Sequence, residues 1–404
     1  MLTGTLKNIY DNVVIFGARG VGWLVSSLIL AIKAYFVPAE DFISIGYALV
    51  SAALFVGPLL GPIVMIISRR IIQTSNLSQD RSIILGCVLI ALALSVFSLF
   101  ENLLNVGEKN EIGFLLSICA FVIISTLNSQ YIVWLNESDR TSLSLLFVVF
   151  FILSVPLSML IREITDIGLS DRSFTIESIV LCLPLLIHMG TKWPVRARLK
   201  EDIYEISTEN YTKYFFIVLF YNAILWSDWT IGRHLLNSGE YITWASDRIL
   251  FERIFLPIIT IFQLSFLWRM LRISTGPTSR SNREIGPKIN FRFNATMVAT
   301  TVLALLCWSM PREWHIVHYG TLLIGYLTYG VMATFLDLYQ AEYRLKVVLL
   351  LLAFIMAVRT AACYAVMYLS QSVGYGLFWA LSSILILTYL FHRSKNQIRL
   401  RAQC

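Results

Sequence analysis

Four ionisable residues crowd the head of one apolar stretch. In SDRILFERIFLPIITIF (Ser246–Phe262), Asp247, Arg248, Glu252 and Arg253 precede a run that carries no further charge. Acids and arginines mixed in this way can pair with one another, relay a proton, or hold an ion or a charged solute. At ~100° per residue, Arg248 and Glu252 lie one helical turn apart on nearly one face and can pair, while Asp247 and Arg253 point elsewhere. Six more ionisable residues interrupt apolar runs: Arg19, Lys33, Asp228, Arg233, Asp337 and Arg359. A charge held at the centre of a bilayer costs several kcal/mol, so each of these needs a partner, a watery cavity or a route to the surface.

The six divide by position. Arg359 stands mid-run in IMAVRTAACYA, with no acid within a helical turn and with the small residues Ala357, Ala361 and Ala362 beside it. It is expected to face the protein interior. Arg19 is flanked by Gly17, Gly20 and Gly22, where a helix can pack closely or bend. Asp228 and Arg233 share LWSDWTIGRHLL. Lys33 is near a run's end and is expected to snorkel to the headgroups. Asp337, near the opposite end of its own run, is expected to meet water. The interior charges number six basic and four acidic, a balance that suits an anionic solute better than a cationic one.

Other chemistries find no support. The six cysteines are scattered without metal-ligand spacing, and the five histidines form no cluster. No nucleophile–base arrangement can be argued. The expectation is no metal, no cofactor and no catalysis.

The elements that must carry these charges are membrane helices. The 404 residues are 57% hydrophobic and 14% charged, with mean hydropathy +0.71. The apolar residues come in blocks of roughly 18–25, the length that crosses a bilayer as a helix. About twelve spans are expected, at roughly 13–36, 42–67, 82–100, 112–134, 143–161, 176–190, 214–236, 243–268, 291–310, 316–339, 347–369 and 375–391. The sixth is short and contains Pro184. The first is read as a retained span, since no cleavable leader pattern precedes it.

Charge orients the spans. With the N-terminus in the cytoplasm, inside segments hold 22 of the 32 Lys and Arg and outside segments hold four, the other six lying within spans. That asymmetry sets both termini in the cytoplasm. The net charge of +7 is then a topology signal with some attraction to anionic lipid, and nucleic acid is not implied.

A repeat organises the spans. At an offset of 199 positions, DFIS (Asp41–Ser44) meets EYIT (Glu240–Thr243), Pro58 meets Pro257, and Arg70 meets Arg269. Six spans per half make this a parallel repeat, with two bundles around a central cavity that open alternately. The expected fold is all-α and polytopic. Residues 1–195 form an N-terminal six-helix bundle, 196–213 a cytoplasmic linker, and 214–404 a C-terminal bundle with a basic tail.

AEDFISIGYA (39–48), SDWTIGRHLLNSGEYITWASDRI (227–249), YQAEYRLK (339–346) and SVGYGLFWALSSIL (372–385) resemble the polysaccharide and O-antigen flippases. These belong to the multidrug/oligosaccharidyl-lipid/polysaccharide exporter superfamily. Asp228, Gly239 and Tyr241 match positions typical of the family, and Glu240 departs from its usual glycine. The resemblance implies a flippase in a bacterial inner membrane. Its substrate would be an anionic lipid-linked glycan, a polyprenyl-diphosphate oligosaccharide, with polysaccharide polymerase machinery as a partner. Arg19 and Arg359 are then expected at the diphosphate or glycan, with Arg233, Arg248 and Arg253 on the periplasmic side. Asp228, Asp247 and Glu252 would pair with them or carry a coupling proton. Two alternatives stay open: a cation-coupled multidrug-type exporter, and a membrane polysaccharide polymerase.

Overall fold

The computed structural model describes residues 25, 28–30, 33, 37–74, 80–104, 111–138, 140–165, 173–190, 208–236, 239, 241–242, 245 and 345–370. Within them are seven helices: α1 (Ala39–Thr74), α2 (Arg81–Leu104), α3 (Glu111–Glu137), α4 (Thr141–Thr165), α5 (Thr175–Gly190), α6 (Thr208–Leu235) and α7 (Leu345–Ser370). They coincide with the expected second to seventh and eleventh spans, most running a few residues past each expected end. The expected eighth, ninth, tenth and twelfth spans lie outside the described residues, apart from Ala245 in the eighth.

Five of these helices are long and apolar enough to cross a bilayer, and α6 is a sixth if its two bent halves count as one span. Their outward faces are oily: Phe55, Phe97, Leu104, Ile112 and Ile164 are all well exposed. In lipid that exposure is favourable, and the helix form satisfies the backbone polar groups internally. The helix α5, at 16 residues, is shorter than a full span. Its sequence makes up for this by burial: Ile176, Val180, Leu181, Cys182 and Leu185 are in the core, and it packs on α2, α3 and α4.

The chain divides into two compact units, Met1–Leu219 and Phe220–Cys404, and the division falls inside α6.

The first unit is an up-and-down bundle, as its cross-links show. At one end, Arg70 closing α1 reaches Asp80 ahead of α2 (2.7 Å), and Trp134 of α3 donates to Ser68 of α1 (2.9 Å). Ser144 at the start of α4 donates to the Ile132 carbonyl of α3, and Tyr131, Phe147 and His188 bring their rings together. At the other end Ser98 of α2 donates to the Gly113 carbonyl of α3 (2.6 Å), and Ser117 of α3 accepts from the Phe174 amide (3.1 Å). Small hydroxyl residues dominate these contacts, because they let helices approach closely and still bond. Midway, Asn128 of α3 donates to the Leu181 carbonyl of α5 (2.9 Å).

Helix α1 holds Pro58 and Pro62 inside its 36 residues. Beside Pro62, Gly61 gives α6 room: a Cβ built at Gly61 would lie 2.6 Å from a Val218 methyl.

Candidate functional site

Among the described residues, and besides the Arg70–Asp80 pair, two clusters of buried charge stand out, one in each unit.

In the second unit Asp228 of α6 and Arg359 of α7 form an ion pair of 3.4 Å, with side chains 2% and 3% exposed. Each comes from the interior of an apolar helix, so neither can reach water by snorkelling. Local sequence prepares the aspartate. The helix α6 bends by 43° between Tyr211–Ile224 and Asp228–Leu235. At the bend the Asp228 carboxylate accepts the Trp229 amide (3.0 Å), an N–H that serves residue 225 in a regular helix. An aspartate can offer a backbone donor this alternative partner within a helix, and α6 contains no proline. One carboxylate thus faces two ways, holding its own backbone with one oxygen and the guanidinium with the other. On α7, Arg359 shares the buried face with Val348, Leu352, Ile355 and Cys363, while Ala357, Val358 and Ala361 lie on the exposed side.

In the first unit, three charges meet at the end where Ser98 of α2 bonds the Gly113 carbonyl and Thr175. The Lys33 ammonium lies 3.2 Å from Glu177 on α5 and donates to the Ser173 carbonyl at 2.6 Å. Arg162, in the last turn of α4, donates to the same carbonyl (2.8 Å) and the same carboxylate (3.2 Å). Lys33 also stands 4.5 Å over the ring of Phe174. The hydroxyls of Ser173, Thr175 and Ser98 are linked in series behind these groups, at 2.7 and 2.8 Å. Lys33 and Glu177 are almost wholly buried, and Arg162 keeps a quarter of its side chain exposed.

The sequence expectations meet this geometry unevenly. Arg359 faces inward as expected, and its partner is Asp228. The sequence expectation gives Asp228 to Arg233, Arg248 or Arg253, or to a coupling proton, and the pair with Arg359 stands beside it. Arg233 is exposed near the end of α6. Arg19, Asp247, Arg248, Glu252 and Arg253 lie outside the described residues. Lys33 is a correction: it does not snorkel but is buried, because Glu177, Ser173 and Phe174 satisfy it inside the unit. Sequence reasoning misses Glu177. The signal that could have found it is an acid in the first turn of a span too short to cross alone. Among the described residues no three His, Cys, Asp or Glu converge as metal ligands, and Cys87, Cys119, Cys182 and Cys363 are free thiols.

No protein-family model and no curated protein matches the chain. Solved structures do. A variant of the Vibrio cholerae MATE transporter VcmN is similar over 98% of both chains, with TM-score 0.71 at 14% identity. A multidrug resistance MATE family transporter of the MOP superfamily, solved in an outward-facing conformation, is similar over 96% of both chains, with TM-score 0.66 at 11% identity. A MATE protein solved in complex with Br-NRF gives TM-score 0.62 at 11% identity over 95% of both chains. The chain therefore shares the fold of the MATE transporters, which are twelve-helix bundles of two lobes.

Proposed function

We propose that this protein is a membrane exporter of small organic molecules, of the multidrug type, working by alternating access. The observation that carries this reading is the fold, shared end to end with transporters of which one is described as a multidrug resistance protein. No reacting group is required of the chain. Its task is to offer a polar contact inside an apolar wall, release it on the other side, and keep lipid and water apart meanwhile.

Asp228 and Arg359 are the contact we favour. A buried pair is neutral as a whole, and a charged or dipolar solute can be held by exchanging one partner for a group of its own. This reading takes the place of a lipid-linked oligosaccharide as the expected substrate. That expectation leaned on a surplus of interior cations, and Arg359, its chief member, is matched by Asp228. The remaining support for a flippase is the motif resemblance.

The experiment is efflux. The chain is expressed in bacteria stripped of their own drug pumps, and ethidium accumulation and growth inhibition by a panel of organic cations and zwitterions are measured. Lower accumulation and raised resistance are expected, with both lost in Asp228→Asn. No change across the panel, together with accumulation of polyprenyl-linked oligosaccharide when the gene is deleted in its host, would instead support the flippase.

A further inference from the structure

Glu177 is held by two cations, and only one is needed to balance it. Arg162 already meets its charge at 3.2 Å and already occupies the Ser173 carbonyl at 2.8 Å. Lys33 is placed on the same two acceptors in addition, at 3.2 and 2.6 Å, while being 4% exposed. Burying a second cation is costly, and a lysine near a helix end has a cheaper course in extending to the headgroups. The surroundings of the ammonium account for the choice. A carboxylate, a main-chain carbonyl and an aromatic face lie against it, and these are groups with which proteins hold cations and ammonium ions. The carbonyl is held in place: it belongs to Ser173, whose hydroxyl bonds Thr175, which in turn bonds Ser98 on α2. The Phe174 ring is fixed by Phe121 of α3 at 4.7 Å between centroids, and its amide by Ser117. Four helices thus build one receptor around a single ammonium group.

We propose that the first unit contains a cation-binding site whose occupant is the chain's own Lys33 side chain. Shortening that side chain opens the site to a free monovalent cation of similar size, such as methylammonium, ammonium or sodium. The tether makes the local concentration of the cation effectively saturating, so the unit holds its structure whatever salt surrounds it. In an exporter this half would need no bound ion. That consequence rests on the transporter reading, whereas the site itself does not.

The test reads stability without any substrate, so the outcome of the efflux experiment does not bear on it. Thermal midpoints are measured for the purified full-length protein in detergent: wild type, Lys33→Ala, and Lys33→Ala combined with Glu177→Gln. Each is held in choline chloride and then in about 100 mM sodium, ammonium or methylammonium chloride, at one ionic strength. Lys33→Ala should melt below wild type and recover by about 3 °C or more, saturably, in at least one of the three cations. Wild type and the double variant should not respond. A Lys33→Ala protein that responds to none, or no more than wild type does, overturns the proposal. If that variant cannot be purified, Lys33→Arg and Lys33→Met decide. Arginine should keep the midpoint close to wild type, and methionine, of similar length without charge, should lower it. A methionine variant as stable as wild type overturns the proposal equally.

Discussion

Asp228 and Arg359 are 131 residues apart in sequence, and in the second unit their charged groups meet at 3.4 Å with almost no exposure to solvent. Removing one member of such a pair strands a buried charge, while removing both leaves only a packing change. Asp228→Leu and Arg359→Met should each cost about 3 kcal/mol of stability. The double variant should lie within about 1 kcal/mol of wild type. Unfolding of the purified protein in mixed detergent micelles measures all three. Additive losses would mean that the pair is not coupled.

Gly61 and Val218 make a steric prediction. A methyl at residue 61 would meet both Val218 methyls, at 2.6 and 2.9 Å, and the Val218 Cβ at 3.1 Å. Valine is stiff at χ1 and cannot swing clear. Gly61→Ala should destabilise by about 1–3 kcal/mol, and Val218→Ala on top of it should restore part of the loss. Gly86, in α2, has nothing within 4 Å of its would-be Cβ. Gly86→Ala should therefore be neutral or stabilise by up to about 1 kcal/mol. Thermal midpoints of these variants test the contrast.

Asp80, just ahead of α2, predicts a pH dependence. Burial raises its carboxyl above the usual value of 3.8, and the Arg70 charge and hydrogen bond only partly oppose this. A carboxyl raised in the folded state contributes its full stability below the unfolded value, and that contribution is lost as pH rises through the folded one. Between wild type and Asp80→Asn, the wild-type advantage should therefore shrink as pH climbs from 3.8 upward. Midpoints at closely spaced pH values would show it, and a difference independent of pH would contradict it.

Asn128 ties α3 to α5 through its bond to the Leu181 carbonyl, and the same amide also bonds the Ile124 carbonyl of its own helix. Hydrogen bonds between membrane helices are worth about 0.6 kcal/mol on average. Asn128→Leu should cost little by that bond alone, about 1 kcal/mol. A much larger loss in the unfolding assay would indicate that leucine cannot be packed there.

The helices are legible in the sequence because their cause is local. A run of apolar residues as long as a bilayer is thick has one stable form in lipid, and all of α1 to α7 except the shorter α5 lie where such runs occur. The sequence also shows that Arg359 must have a partner, since a charge in mid-span is too costly alone. Which partner it takes is another matter. Arg233 is nearer to Asp228 in the chain, yet it is exposed near the end of α6, whereas Arg359 reaches Asp228 from α7. Lys33 shows the same limit more sharply. By its neighbours it is a snorkelling lysine, but Ser173 lies 140 residues further on, and its carbonyl and the Glu177 carboxylate capture the ammonium inside the unit. Periodicity and burial cost act along the chain and can be read there. The pairing of charges depends on which helices pack side by side and at what height, and only the tertiary structure decides that.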